Sequence, residues 1–412
     1  MKLPGVVIPL SVRGFDSLSD VFDVELEGSL VSSVHASDTP SAISGMLLPA
    51  LADLHVHIDK THVVDETGAC DGDLFKAIDL MASHRARWTA ASIAPRMQLA
   101  LTEAHACGTR ALRTHLDWPR RQPPAALQAF LQMRNAWRDR LVLQCVSLTP
   151  LDVFDADDPV ASADANAIAA AVAELNRGCD RSRGESAVLG CFVYRNARLQ
   201  DKLRQVFDLA LRHGLDLDFH VDEGLDPQAC GLAAIAECTL LYGYQGRVTC
   251  GHACSLSMQP HALALRTLQL CARAGIHLVS LPSTNLYLQG AWDKTPVERG
   301  ITLLTEADQW GVPVSIATDN VADGFYPYGS YDLLDNFALG VQVGHLSPAE
   351  HWLHSVCTHP ARAMGLPWDG RIAPGCPADL IVLAARSRFE LLTARGRRRQ
   401  VIRNGRVLPA AF

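Results

Sequence analysis

LQDKLRQVFDLALRHGLDLDFHVDE, residues 199–223, is the stretch whose reading decides the fold. Its first part places apolar residues at helical spacing and stops at Gly214, a residue suited to a helix C-terminus. The remainder, GLDLDFHVDE, is a short β-rich run that ends in polar, chemically competent side chains. A helix feeding a strand that finishes in His and Glu is one unit of an alternating α/β fold.

The unit recurs in both directions. Strand-like runs are GMLLPALADLHVH (45–57), TRALRTHLD (109–117), RLVLQCVSLTP (140–150), SAVLGCFVY (186–194), GLDLDFHVDE (214–223), GRVTCGHAC (246–254), GIHLVSLPSTN (275–285) and VPVSIATDN (312–320). Helical stretches such as ASIAPRMQLALTEAHACG, ADANAIAAAVAELNRG and PHALALRTLQLCARAG lie between them. Eight strands alternating with helices over about 270 residues predict an α/β fold, a (β/α)8 TIM barrel. Residues 1–47 and the tail ADLIVLAARSRF…RQVIRNGRVL, with a tight turn at Asn404-Gly405, read as strands. The domains expected are a small β-sandwich built from 1–47 and 366–412 and the (β/α)8 barrel at 48–365.

Composition narrows the function. The chain of 412 residues is 48% hydrophobic and 20% charged, with net charge -7. That balance argues against a nucleic-acid partner, since phosphate neutralisation needs a concentrated positive surface. The cluster Arg395, Arg397, Arg398 and Arg399 reads as a solvated face. No run approaches the ~20 apolar residues of a membrane helix. The opening MKLPGVVIPLSVRG lacks a secretory pattern, and the twelve cysteines lack a CxxC pair, so reduced thiols and a cytoplasmic location are expected. A homo-oligomer is expected as well.

In a barrel of this type chemistry sits where the strands end. The first run ends in His55-Val56-His57, whose i, i+2 spacing on a strand aims both imidazoles to one side, as ligands for a borderline divalent metal. An HxH pair alone is a weak signal. His220 ends the fifth run, His252 the sixth and Asp319 the eighth, and this coincidence across strands gives the pair its weight.

These residues make the chain similar to the amidohydrolase superfamily, and most of all to bacterial cytosine deaminases. HVDE at 220–223 resembles their HCDE, and RTHLD at 113–117 their RSHVD. GHACSLS (251–257), NLYLQG…RGIT (285–302) and ATDNVADGFYPYG (317–329) resemble further segments. The resemblance implies one divalent ion (Zn2+ or Fe2+, with Mn2+ as an alternative) on His55, His57, His220 and Asp319. It also implies that His252 orients the attacking oxygen, that Glu223 shuttles protons and that Asp319 takes the proton of the attacking water. The fourth run, AVLGCFVYRN, has neither the Lys nor the Glu that bridges two ions in binuclear relatives, which favours one ion. Lys60 is expected beyond the strand end, exposed and paired with Asp59 or loop backbone, and no role is assigned to His115.

The pocket departs from the family pattern. Thr149 and Pro150 of SLTPLD stand about where a substrate-reading Gln is expected, Asn320 replaces an Asp, and Phe325 replaces a Trp. With Gln289 and Tyr287 of the NLYLQG loop, Thr149, Asn320 and Phe325 are the candidate substrate-binding residues. Asp319-Asn320 also resembles the N-isopropylammelide isopropyl amidohydrolases, which lack the equivalent of Glu223. The expected activity is hydrolytic deamination of a small heterocycle: a cytosine-like pyrimidine, a triazine or a pterin. The alternatives are removal of a substituted amine, opening of a cyclic amide, or a silent binding protein, which the intact ligand set disfavours.

Overall fold

The computed structural model describes residues 1–409. Eight parallel strands follow one another in chain order: Leu51–Val56, Thr109–Asp117, Val142–Pro150, Ala187–Val193, Leu217–Val221, Val248–His252, His277–Ser280 and Val314–Ile316. A parallel bridge between Val56 and Asp319 joins the last strand back to the first. The sheet is thereby a barrel, as expected. Helices Ala90–Ala106, Pro159–Arg177, Leu199–His213 and His261–Ala274 lie on its outside. Gly214 and Gly275 end two of them in the left-handed conformation, which glycine adopts without a Cβ clash.

The terminal segments meet in a separate seven-stranded sheet. Its order is Arg406–Val407, Arg399–Arg403, Leu380–Leu383, Gly45–Pro49, Lys2–Val7, Val21–Glu27 and Leu30–Ala36. The run GMLLPALADLHVH is two strands. Gly45–Pro49 pairs with Lys2–Val7 and Leu380–Leu383, and after Ala50 the chain crosses into the barrel. Every residue from 45 to 56 is buried, so hydrophobicity carries no mark of the crossing, and the terminal sheet extends to Pro49. Asn404 and Gly405 both have positive φ, 48° and 71°, in the tight turn.

The arginine cluster is not a uniformly solvated face. Arg399 is paired with Asp332 and Arg397 with Asp335, both partly buried, which ties the terminal sheet to the barrel. All twelve cysteines are free thiols, with Cys145, Cys191 and Cys250 buried in barrel strands. Among the described residues no helix is long and apolar enough to cross a membrane.

Candidate active site

The barrel core ends upward in histidines. His55 and His57 close the first strand, and His220 rises from the fifth beside them, with Nε2 3.1 Å from that of His55 and 3.3 Å from that of His57. Asp319 follows the eighth strand, placing Oδ1 3.2 Å from His57 Nε2 and 3.6 Å from His55 Nε2. All four side chains are buried. Burial pushes His55 and His220 well below the ordinary histidine range, so their rings are neutral and carry a lone pair. Burial would raise Asp319, but the hydrogen bond with His57 and the nearby His252 hold it below the carboxylate norm.

His57 Nδ1 lies 3.3 Å from the carbonyl of His115. A carbonyl only accepts, so Nδ1 carries the proton and Nε2 the lone pair that faces the cluster. His115, buried under the site, packs its ring 3.9 Å from that of His55. Donors about 2.0–2.1 Å from a tetrahedral ion stand about 3.3 Å from one another. The spacing of these three imidazoles and one carboxylate is close to that figure, with separations from 3.1 to 3.6 Å. The residues fit one divalent transition-metal ion.

Gly251 makes room for the arrangement. A Cβ there would lie 2.9 Å from His55 Cε1. Gly251→Ala is therefore expected to displace His55 and weaken metal binding by about 10–100-fold. Metal analysis after dialysis checks this, and full retention of the ion would contradict it.

Asp222, His252 and Asp319 have φ of 50°, 68° and 67°, a region that Asp and His enter more readily than most residues and that often marks functional sites. Asp222 is positional: its carboxylate accepts from the N–H groups of Gly231 and Leu232 and anchors the start of helix Gly231–Leu241. With the chain turned and held there, Glu223 returns to the barrel mouth, where its carboxyl sits 3.3 Å from His252 Nδ1. Burial, reinforced by Asp319, raises Glu223 well above the usual carboxyl range. The amide nitrogen of Asn285 lies 3.0 Å from the same His252 Nδ1. Two donors, the amide and a protonated Glu223, leave the His252 proton on Nε2, which has no partner within the protein.

Above this cluster opens a cleft lined by both the polar groups and an apolar wall. Asn320 and Phe325 line it, with the Asn320 amide donating to Asp323 at 2.6 Å. Thr149 does not. Its hydroxyl points away and donates to the carbonyl of Trp118, while Leu148 and Pro150 on either side face the cleft. Tyr287 also faces elsewhere: it belongs to a helix, Pro282–Leu288, rather than a loop, and donates to the carbonyl of Cys70. Gln289 lies in an adjoining open cleft that shares Leu74 and Glu223 with the main one.

Lys60 is not an exposed loop residue. It is buried at the cleft, 2.9 Å from Asp117 and 5.4 Å from the Phe325 ring centroid. Burial would lower it, but Asp117 and Asp59 outweigh that and keep it charged. Burial alone would raise Asp117, yet Lys60 and Arg85 bring it down to about 2. Asp117, Arg85 and one whole wall of the cleft were not among the site residues expected from the sequence. That wall is helix Leu74–Arg85, whose Leu74, Ile78, Met81 and Arg85 all face inward. Their spacing of four, three and four residues is a helical stripe that the sequence does contain.

Known proteins share this arrangement of chain. The chain is 39% identical over 367 residues to a pterin deaminase of Rhizobium rhizogenes, covering 88% of this chain and 80% of that protein. It is 24% identical over 305 residues to an N-isopropylammelide isopropyl amidohydrolase of Pseudomonas sp., with 73% and 69% covered. Among solved structures, a 5-methylcytosine deaminase of Klebsiella pneumoniae liganded with phosphonocytosine superposes with a TM-score of 0.83 at 26% identity, covering 99% of this chain and 98% of that one. A model of the amidohydrolase family matches residues 192–409. With the barrel, its histidine-lined mouth and these likenesses together, the chain belongs to the amidohydrolase family.

Proposed function

We propose that this chain is a metal-dependent hydrolase that deaminates an amino-substituted nitrogen heterocycle, and that a pterin-like bicyclic ring is the substrate class. The observation that carries the reading is the convergence of His55, His57, His220 and Asp319 beside the buried Glu223 at the floor of one cleft. The pterin preference is supported by the 39% identity to a pterin deaminase and by the apolar wall and Phe325 that flank the floor of the cleft, surfaces suited to a flat ring.

His55, His57, His220 and Asp319 would hold one divalent ion, for which Zn2+ and Fe2+ suit the donor set and Mn2+ is an alternative. When bound, the ion supplies the Lewis acidity that makes water nucleophilic near neutral pH. The chain's own groups do the rest. The apolar wall and Phe325 hold the ring flat and exclude bulk water. Glu223 gives its proton to a ring nitrogen beside the amino-bearing carbon, His252 holds the attacking oxygen through Nε2–H, and Asp319 accepts that oxygen's proton. Glu223, left ionised by the first transfer, takes the proton from Asp319 and passes it to the leaving amine, then takes the remaining hydroxyl proton as the carbonyl forms, so both carboxyl groups end as they began. A homo-oligomeric state and a cytoplasmic location belong to the same proposal, the latter supported by the unpaired cysteines.

The test is a panel of aminated pterins, pyrimidines and triazines given to the metal-loaded protein, read by ammonia release and product mass. Deamination raises the mass by about one unit, ring opening adds a water, and amine removal releases an alkylamine. Absence of all three products across the panel would end the proposal. Stripping the ion is expected to destabilise the fold as well as silence it, by about 4 kcal/mol relative to protein held at a thousandfold excess of metal over its Kd. Thermal unfolding with and without a chelator measures this, and an unchanged Tm would count against the four-residue cage.

A further inference from the structure

The far end of the barrel holds a second group of metal-competent side chains. The segment HWLH, 351–354, lies on the 3-10 turn Ala349–Ser355, where residues three apart eclipse one another. His351 and His354 therefore fall on one side, their ring centroids 4.8 Å apart. Asp308, in the last turn of helix Leu304–Gln309, brings Oδ2 to 3.9 Å from His351 Nε2. Ligand atoms of all three residues lie within 4.8 Å of one another.

The anchor is His354. It is only 7% exposed, and its Nε2 has no hydrogen-bond partner among the described residues, an unfavourable state for a buried polar group that nothing satisfies. His359 packs across the ring at 4.2 Å and is itself fixed by donating Nδ1–H to the carbonyl of Val314 at 2.9 Å. Trp352 packs near the same ring, 5.6 Å away.

We propose that Asp308, His351 and His354 form a separate site for a borderline divalent metal ion, with Zn2+ as the representative. Two imidazoles and one carboxylate select that class over Mg2+ or Ca2+, which prefer all-oxygen shells. His354 is the fixed donor. His351 and Asp308, whose side chains are largely open to solvent, close on the ion by rotation about their own side-chain bonds. Val314 begins the eighth strand and Asp319 follows its end, about 16 Å away along the chain at strand rise, so this ion touches no reacting atom. Its effect is to tie helix Leu304–Gln309 to the turn Ala349–Ser355.

Full-length protein already carrying its catalytic ion is dialysed against Zn2+, and bound zinc per chain is counted. Wild type is expected to take a further equivalent, and a variant with His351→Ala and Asp308→Asn to bind it at least about tenfold more weakly. Both substitutions are at solvent-accessible side chains, so the variant is expected to fold, keep its catalytic ion and turn over as wild type. A wild-type chain that takes no further equivalent overturns the site, as does one whose further equivalent is undiminished in the variant. The zinc count is independent of whether the chain deaminates anything, so its failure is distinct from failure of the catalytic reading.

Discussion

Glu223→Gln is expected to lower kcat by about 10²–10⁴-fold, the range associated with loss of a positioned general acid–base, while metal content stays at that of wild type. The substitution keeps the shape of the side chain and its place beside His252. An amide still donates an N–H, so the His252 tautomer survives, but it cannot transfer a proton to a ring nitrogen. Because Glu223 is buried and held protonated, its replacement by a neutral isostere leaves stability unchanged or slightly raised. Steady-state kinetics, metal analysis and thermal unfolding on one preparation separate these effects. A kcat within about threefold of wild type would remove Glu223 from the chemistry.

Arg113→Met is expected to destabilise the fold by about 3–5 kcal/mol, the largest loss of stability anticipated from a single change away from the cleft. Arg113 is buried inside the barrel and holds three elements. Nε donates to Gln144 at 2.9 Å, Nη1 to Asp218 at 3.0 Å, and Nη2 to the carbonyl of Ala363 at 3.1 Å. Methionine fills most of the volume but leaves Asp218 buried without its cation. Adding Asp218→Leu is expected to return part of the loss, because a buried pair replaced whole is far less damaging than one cut in half. Denaturant unfolding of the single and double variants measures it, and a double variant less stable than Arg113→Met would show that the pair is not the source of the loss.

The sequence made the barrel legible because β-rich runs alternate with helical stretches, and His55, His57, His220, His252 and Asp319 stand at or just beside the strand ends. What it hid follows from physics. Strand alternation has a period of two, so misjudging which residue faces inward by one position turns the choice over. Thr149 was expected in the cleft, and Leu148 and Pro150 occupy it. Tyr287 was assigned from its neighbourhood in the chain, but Pro282 starts a helix that carries the ring outward. Lys60 looked solvated because lysine usually is, and only the folded chain brings Asp117 to it from the next strand. Helix Leu74–Arg85 did display its stripe, yet nothing local says that an apolar stripe faces a substrate rather than the core.

The seam of the barrel joins the first strand to the last through two of the proposed metal ligands. Asp319 N–H donates to the carbonyl of His55 at 2.8 Å, and Thr318 N–H to Asp53 at 3.1 Å across 265 residues of chain. The eighth strand is three residues long, and the seam continues past it, where the Thr61 hydroxyl donates to the carbonyl of Val321 and the Val63 N–H to that of Ala322. Closing so long a loop is entropically costly and slow, and an ion held by the proposed ligands on both sides of the seam would act as the rivet that keeps it shut. Occupancy of the site and closure of the whole ring thus draw on one free energy, and a substitution far from the cleft that loosens the seam will register first as a chain that lets go of its metal.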